Sequence, residues 1–105
     1  MAIVRHDDVP KVVVELVEAG RWDYGPHVIV SLSECLFTEE DIQECVCCGR
    51  LAKRESDERG EAVDGWKYTV YGRCRSGHPL MVVGKIVCDA DGALFFVITA
   101  HGRNT

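Results

Sequence analysis

Long apolar runs are missing from this chain of 105 residues. No stretch approaches the length needed to span a bilayer, so no membrane association through a spanning helix is expected. The opening MAIVRHDDVP is broken by charge at Arg5 and has no apolar h-region. It is therefore read without a secretory signal, and a cytoplasmic location is expected. Positive charge is also scarce: 12 Lys and Arg stand against 17 Asp and Glu, a net charge of −5. That balance argues against constitutive, non-specific nucleic-acid binding. Internal repeats and low-complexity segments are absent, and the length leaves no room for a second core. One domain over residues 1–105 is expected.

Cysteine, by contrast, is plentiful, with six in the chain. With no secretory context, reduced thiols are expected, and Cys35, Cys45 and Cys88 read as small core hydrophobes. The charge is uneven. Carboxylates dominate from Glu39 to Asp64, whereas beyond Trp66 the cations Lys67, Arg73, Arg75, Lys85 and Arg103 face only Asp89 and Asp91. A locally basic sheet inside an acidic protein follows from that split.

The N-terminal segment, residues 1–23, reads as a helix. Val9, Val12, Val13, Leu16 and Val17 form one apolar stripe, with Asp7 or Asp8 as cap, Pro10 in the first turn and Gly20 at the end. Arg21–Gly25 reads as a connector. Pro26 opens a second helix, with Val28, Leu32, Cys35 and Leu36 on one stripe, although HVIVSL also suits a short strand. Thr38, three residues before Asp41, suggests a capping box for a third helix. Its stripe is Ile42, Cys45 and Val46, and Gly49 is its C-cap.

The second half reads as strands. Leu51–Glu55 suits a short edge strand, and the polar, acidic 56–65 segment a mobile loop. A meander follows: WKYTVYGRC (66–74), PLMVVGKIVC (79–88) and ALFFVITAH (93–101), separated by glycine-marked turns. By alternation, Trp66, Tyr68, Val70 and Cys74 share one face and Lys67, Thr69, Tyr71 and Arg73 the other. The middle strand is nearly apolar on both sides and belongs in the sheet centre. The expected fold is α+β, with two or three N-terminal helices packed on a three- to four-stranded antiparallel sheet. The core runs over 24–101, and 102–105 is a tail.

Three constellations carry chemistry. Cys45-x-x-Cys48 with Cys74-x-x-x-His78 offers four zinc ligands and a zinc-stabilised, non-enzymatic protein-binding module. Against it, Cys45 lies on a buried helix stripe and the second pair has unorthodox ribbon spacing, so Cys45 reads as packed, Cys48 as flanking the core and Cys47 as solvent-facing. A cysteine nucleophile fails because Cys48 sits at a helix C-terminus, where the dipole opposes the thiolate. In the third, if 26–36 is helical, His27, Ser31 and Cys35 form a row along its face, while Arg73, Lys85, Thr99 and His101 gather on one sheet face in some strand registers and not in others. Histidine with clustered cations suits RNA cleavage: one group takes the 2′-hydroxyl proton and cations stabilise the charge developing at phosphorus.

The stretch from His27 to His101 resembles a family of small bacterial domains of unknown function related to RelE/ParE toxins, in the ribonuclease superfamily that includes barnase. The likeness rests on His27 opening a helix, Phe37-Thr38-Glu39-Glu40-Asp41-Ile42 leading the next, and Gly49 before a strand. It continues through Tyr68–Arg73 with Gly72, Leu80–Val83, and Val97-Ile98-Thr99-Ala100. It implies a toxin-related domain cleaving RNA without a metal or other cofactor, with an antitoxin-like protein as partner. His27 would be the acid or base and Thr99 a positioning group. The strand pattern adds Arg73 and Lys85 as phosphate clamps and Tyr71, Arg75 and His101 as substrate contacts. Family members often carry arginines where this chain has Ser31 and Cys35, so a catalytically degenerate member is the other form of the same reading.

Overall fold

Thr38 and Asp41 form the reciprocal cap their spacing suggests. The Asp41 N–H donates to the Thr38 hydroxyl at 3.1 Å, and the Thr38 N–H donates to the Asp41 carboxylate at 2.9 Å. Such a cap is worth about 1 kcal/mol, and it starts the longest helix of this computed structural model, which describes residues 9–34 and 36–102. In chain order the elements are α1 (Lys11–Glu18), β1 (Trp22–Tyr24), α2 (Pro26–Ser33), α3 (Glu39–Cys48), β2 (Arg50–Ser56), β3 (Trp66–Arg73), β4 (Pro79–Asp89) and β5 (Gly92–Gly102). The fold is α+β. Arg5, Asp7, Asp8, Cys35 and Arg103 lie outside the described residues.

The sheet corrects the expectation. It has five strands in the order β1-β5-β4-β3-β2, and it is mixed, because β1 runs parallel to β5 with Trp22 beside Phe95 and Tyr24 beside Val97. The connector expected over 21–25 therefore holds an edge strand. Arg21 secures it: its guanidinium donates to the carbonyls of Ala93 and Gly92 and pairs with Asp89 at 2.8 Å. The hydrogen bond from Arg21, with help from the Asp91 N–H, holds the Asp89 carboxyl below its ordinary range. The remaining pairings are antiparallel, and β4 lies in the centre as its two-sided apolar pattern requires.

All three helices pack on one sheet face. Val13, Val17, Val28, Ile42, Cys45 and Val46 meet Tyr68, Val70, Leu80, Val82, Phe95 and Val97 in one buried cluster. Each fully buried Val or Leu there contributes about 1.5–3 kcal/mol. Gly72 lets α3 approach: a Cβ at that position would stand 2.7 Å from the Cys45 carbonyl oxygen. The Cys45 thiol donates to the Leu80 carbonyl at 3.4 Å, and burial, reinforced by Cys74, pushes it up to about 12.

Other details differ from the sequence reading. Helix α2 stops at Ser33, leaving Leu36 outside it and exposed, and Val12 on α1 is also exposed. Pro10 caps α1 rather than lying in its first turn. Cys48 and Cys88 are exposed and Cys47 is the half-buried one, packed against the core. A bulge in β5 at Ile98 shifts register between Val83 and Gly84, and one in β2 at Ala52 does the same beside Leu51. No helix among the described residues is long and apolar enough to cross a membrane.

Candidate functional site

The face turned away from the helices carries most of the polar candidates. Strand pairing sets them in rows, because directly opposed residues share a face. One row runs Arg50, Tyr71, Met81, His101; the next runs Lys53, Thr69, Val83, Thr99; a third runs Glu55, Lys67, Lys85, Phe96. Tyr71, Arg73, Lys85, Thr99 and His101 are thus brought to one face, as the alternation suggests. His27 is not among them. It lies exposed in the first turn of α2, in the helical layer, where its carbonyl accepts from the Ser31 hydroxyl at 3.3 Å. His27 lines neither the groove that holds Arg73 nor the cavity that holds Lys85.

Lys85 is also not an available phosphate clamp. Its side chain is 4% exposed and its ammonium is engaged by Asp57 at 3.4 Å and Glu61 at 2.5 Å. The loop expected to be mobile is tied down around it. Asp57 accepts from the N–H groups of Arg59, Glu61 and Ala62. The Val63 N–H donates to the Ile86 carbonyl at 2.8 Å. Burial alone would raise the Asp57 carboxyl, but the Ala62 and Glu61 N–H groups and the Lys85 ammonium outweigh it and hold it below its ordinary range.

Two accessible cations, Arg50 and Arg73, lie at the other end of the sheet, beside α3. A groove of about 490 Å³ opens between the C-terminal end of α3, the start of β2, the end of β3 and the start of β4. Arg50, Tyr71 and Arg73 line it, with Glu44 and Cys48 on the helix wall and Gly49, Gly72 and Pro79 completing it. Gly49 and Gly72 let α3 and the strands close up here; a Cβ at Gly49 would stand 2.6 Å from the Tyr71 carbonyl oxygen. The Arg73 guanidinium donates to the Gly77 carbonyl at 2.9 Å, which steadies it. A hydrogen bond to Glu44, added to burial, raises the Cys48 thiol, so this cysteine is a poor nucleophile.

Arg75 lies in the exposed β3–β4 turn, and its backbone N–H donates to Asp41 at 3.0 Å, anchoring the turn to α3. Its side chain does not line the groove. The four candidate zinc ligands are not assembled either: among the described residues no group of three or more His, Cys, Asp or Glu side chains suits a metal ion. Cys45 faces the core while Cys48 and His78 are exposed.

Arg50 is the site residue that the sequence reading misses. The signal was its place directly after the helix-ending Gly49, where the chain turns into an edge strand. Only the β2–β3 register shows that it faces Tyr71. No protein-family model, curated protein or solved structure matches this chain.

Proposed function

We propose that this chain is a RelE/ParE-like toxin-related domain that binds single-stranded RNA in the groove formed by Arg50, Tyr71 and Arg73, and that it is a catalytically degenerate member of that kind. The observation that carries the reading is the groove itself. Two guanidinium groups and an aromatic side chain line one groove where the C-terminal end of α3 meets β2, β3 and β4. Guanidinium groups are suited to phosphate by their planar fork of donors, and an aromatic side chain supplies a stacking surface for an unpaired base. The acidic remainder of the chain keeps such binding local and weak at high salt.

Degeneracy is supported by what surrounds the other candidates. A general base must come within hydrogen-bond reach of the proton it removes, and His27, in the first turn of α2, does not line the groove. Lys85 is occupied by carboxylates. Thr99 and His101 remain on the correct face but lie beyond the central strand from Arg50. The test is fluorescence anisotropy with a labelled RNA dodecamer. Binding by the wild-type protein and its loss in the Arg50→Ala/Arg73→Ala double variant support the reading. Equal binding by both proteins contradicts it.

A second reading, an antitoxin-like protein partner, is favoured by one observation. Ile29 and Val30 stand side by side on α2, each more than half exposed, as apolar groups left for a partner would be. A stoichiometric complex seen by light scattering and lost in Ile29→Asp/Val30→Asp would support it.

A further inference from the structure

We infer that the loop over residues 57–65 is a lid, closed on a second phosphate position of the same RNA-binding face, with Lys85 and Lys67 as its cations and Glu61 as its latch. This rests on the RNA reading of the groove. Lys67 stands directly opposite Lys85 on the helix-free face. Two like charges in that relation repel; Glu55 stands opposite Lys67 on β2, which leaves the Lys85 ammonium in need of an anion. The loop supplies one from within the chain. Asp57 and Glu61 stand where phosphate oxygens would stand, 3.4 Å and 2.5 Å from the Lys85 ammonium. Beneath the loop is a cavity of about 200 Å³, walled by both lysines, both carboxylates, Phe96 and Ile98.

The two carboxylates differ in their commitments. Asp57 is 3% exposed and accepts three backbone N–H groups of its own loop, so it holds the turn in shape. Glu61 is 57% exposed. It is the partner that can leave without dismantling the loop. The segment beyond it is held to β4 through the Val63 N–H, and it returns to β3 at Gly65, whose φ of 81° permits a sharp change of direction. Lys67 and Tyr71 are on one strand and one face, about 13 Å apart at roughly 3.3 Å per residue. An RNA strand seated on Tyr71 and Arg73 and running along β3 therefore reaches the lysine pair only when Glu61 has swung away. The Glu61 side chain is 57% exposed, and an ion pair with so exposed a partner adds little net stability, so exchanging Glu61 for a phosphate is a near-balanced step that a longer ligand can drive.

The test compares a trimer and a dodecamer of single-stranded RNA on the wild-type chain, Glu61→Gln and Glu61→Gln/Lys85→Met, with amide exchange of Val63 as the readout of lid opening. Glu61→Gln is expected to speed Val63 exchange, leave trimer affinity unchanged and tighten dodecamer binding. It should steepen the slope of log K against log salt by about 0.7, the increment for one more single-strand phosphate contact. Adding Lys85→Met should remove that gain. Faster Val63 exchange without tighter dodecamer binding overturns the lid, and so does unchanged Val63 exchange. Groove binding lost in Arg50→Ala/Arg73→Ala but indifferent to Glu61→Gln leaves the RNA reading standing and removes the lid alone. If neither the wild type nor Glu61→Gln binds either RNA, both readings fall.

Discussion

Arg50 and Tyr71 are cross-strand partners, one opening β2 and the other near the end of β3, and together with Arg73 they line a groove walled on one side by the C-terminal end of α3. The pairing places a cation beside an aromatic side chain at the point where α3 ends. In the function proposed, RNA would be held by this pairing rather than by the helical histidine.

Removing the two arginines should therefore weaken RNA binding and change its salt dependence. For Arg50→Ala and Arg73→Ala singly, the slope of log K against log salt should fall by about 0.7 each, one phosphate contact apiece. Titrations at several salt concentrations check this.

His27→Ala should leave both RNA binding and any cleavage at the wild-type level. The side chain belongs to the exposed first turn of α2 and does not line the groove. A gel assay with labelled RNA in the presence of a chelator tests this; a loss of cleavage confined to His27→Ala would contradict it.

Stability should fall on the acid side. Asp57 and Asp89 both titrate below their ordinary value of 3.8 in the folded chain. Asp41 does so too: burial raises it, but the N–H groups of Thr38 and Arg75 outweigh burial. The folded state thus binds fewer protons than the unfolded one. The stabilisation is complete above 3.8 and is lost as pH falls through the lower folded values. Thermal melts from pH 6 downward should show Tm dropping below about pH 4, with a shallower fall in Asp57→Asn.

Gly72→Ala should destabilise the fold by about 1–3 kcal/mol through overpacking. The new Cβ would press on the Cys45 backbone, which belongs to α3 and has no flexible end to yield. Urea denaturation measures the loss. The same packing shields Cys45, so thiol labelling of the native protein should modify the exposed Cys88 before Cys45.

Much of this architecture was legible in the sequence because local chemistry specified it. The Thr38–Asp41 spacing announces α3, and the glycine-marked turns divide the meander correctly, with β4 in the centre. Three residues of β1 were not legible. Trp22-Asp23-Tyr24 is too short to show a period, and its parallel pairing with β5 joins residues more than 70 apart in sequence. The site divided in the same way. Alternation alone places Tyr71 and Arg73 on one face, and the five-strand registers add Thr99 and His101. That Lys85 is consumed by Asp57 and Glu61 depends on how an acidic loop folds back, and no pattern within the loop names its partner. The polar face of the meander was expected to hold the function. The proposed site lies at the end beside Arg50.

The most direct measurement is an amide chemical-shift titration of the labelled protein with an RNA dodecamer. The account predicts shifts centred on Arg50, Tyr71, Gly72 and Arg73, with His27 and the rest of α2 unmoved. Shifts centred on α2, or none at saturating RNA, would contradict it.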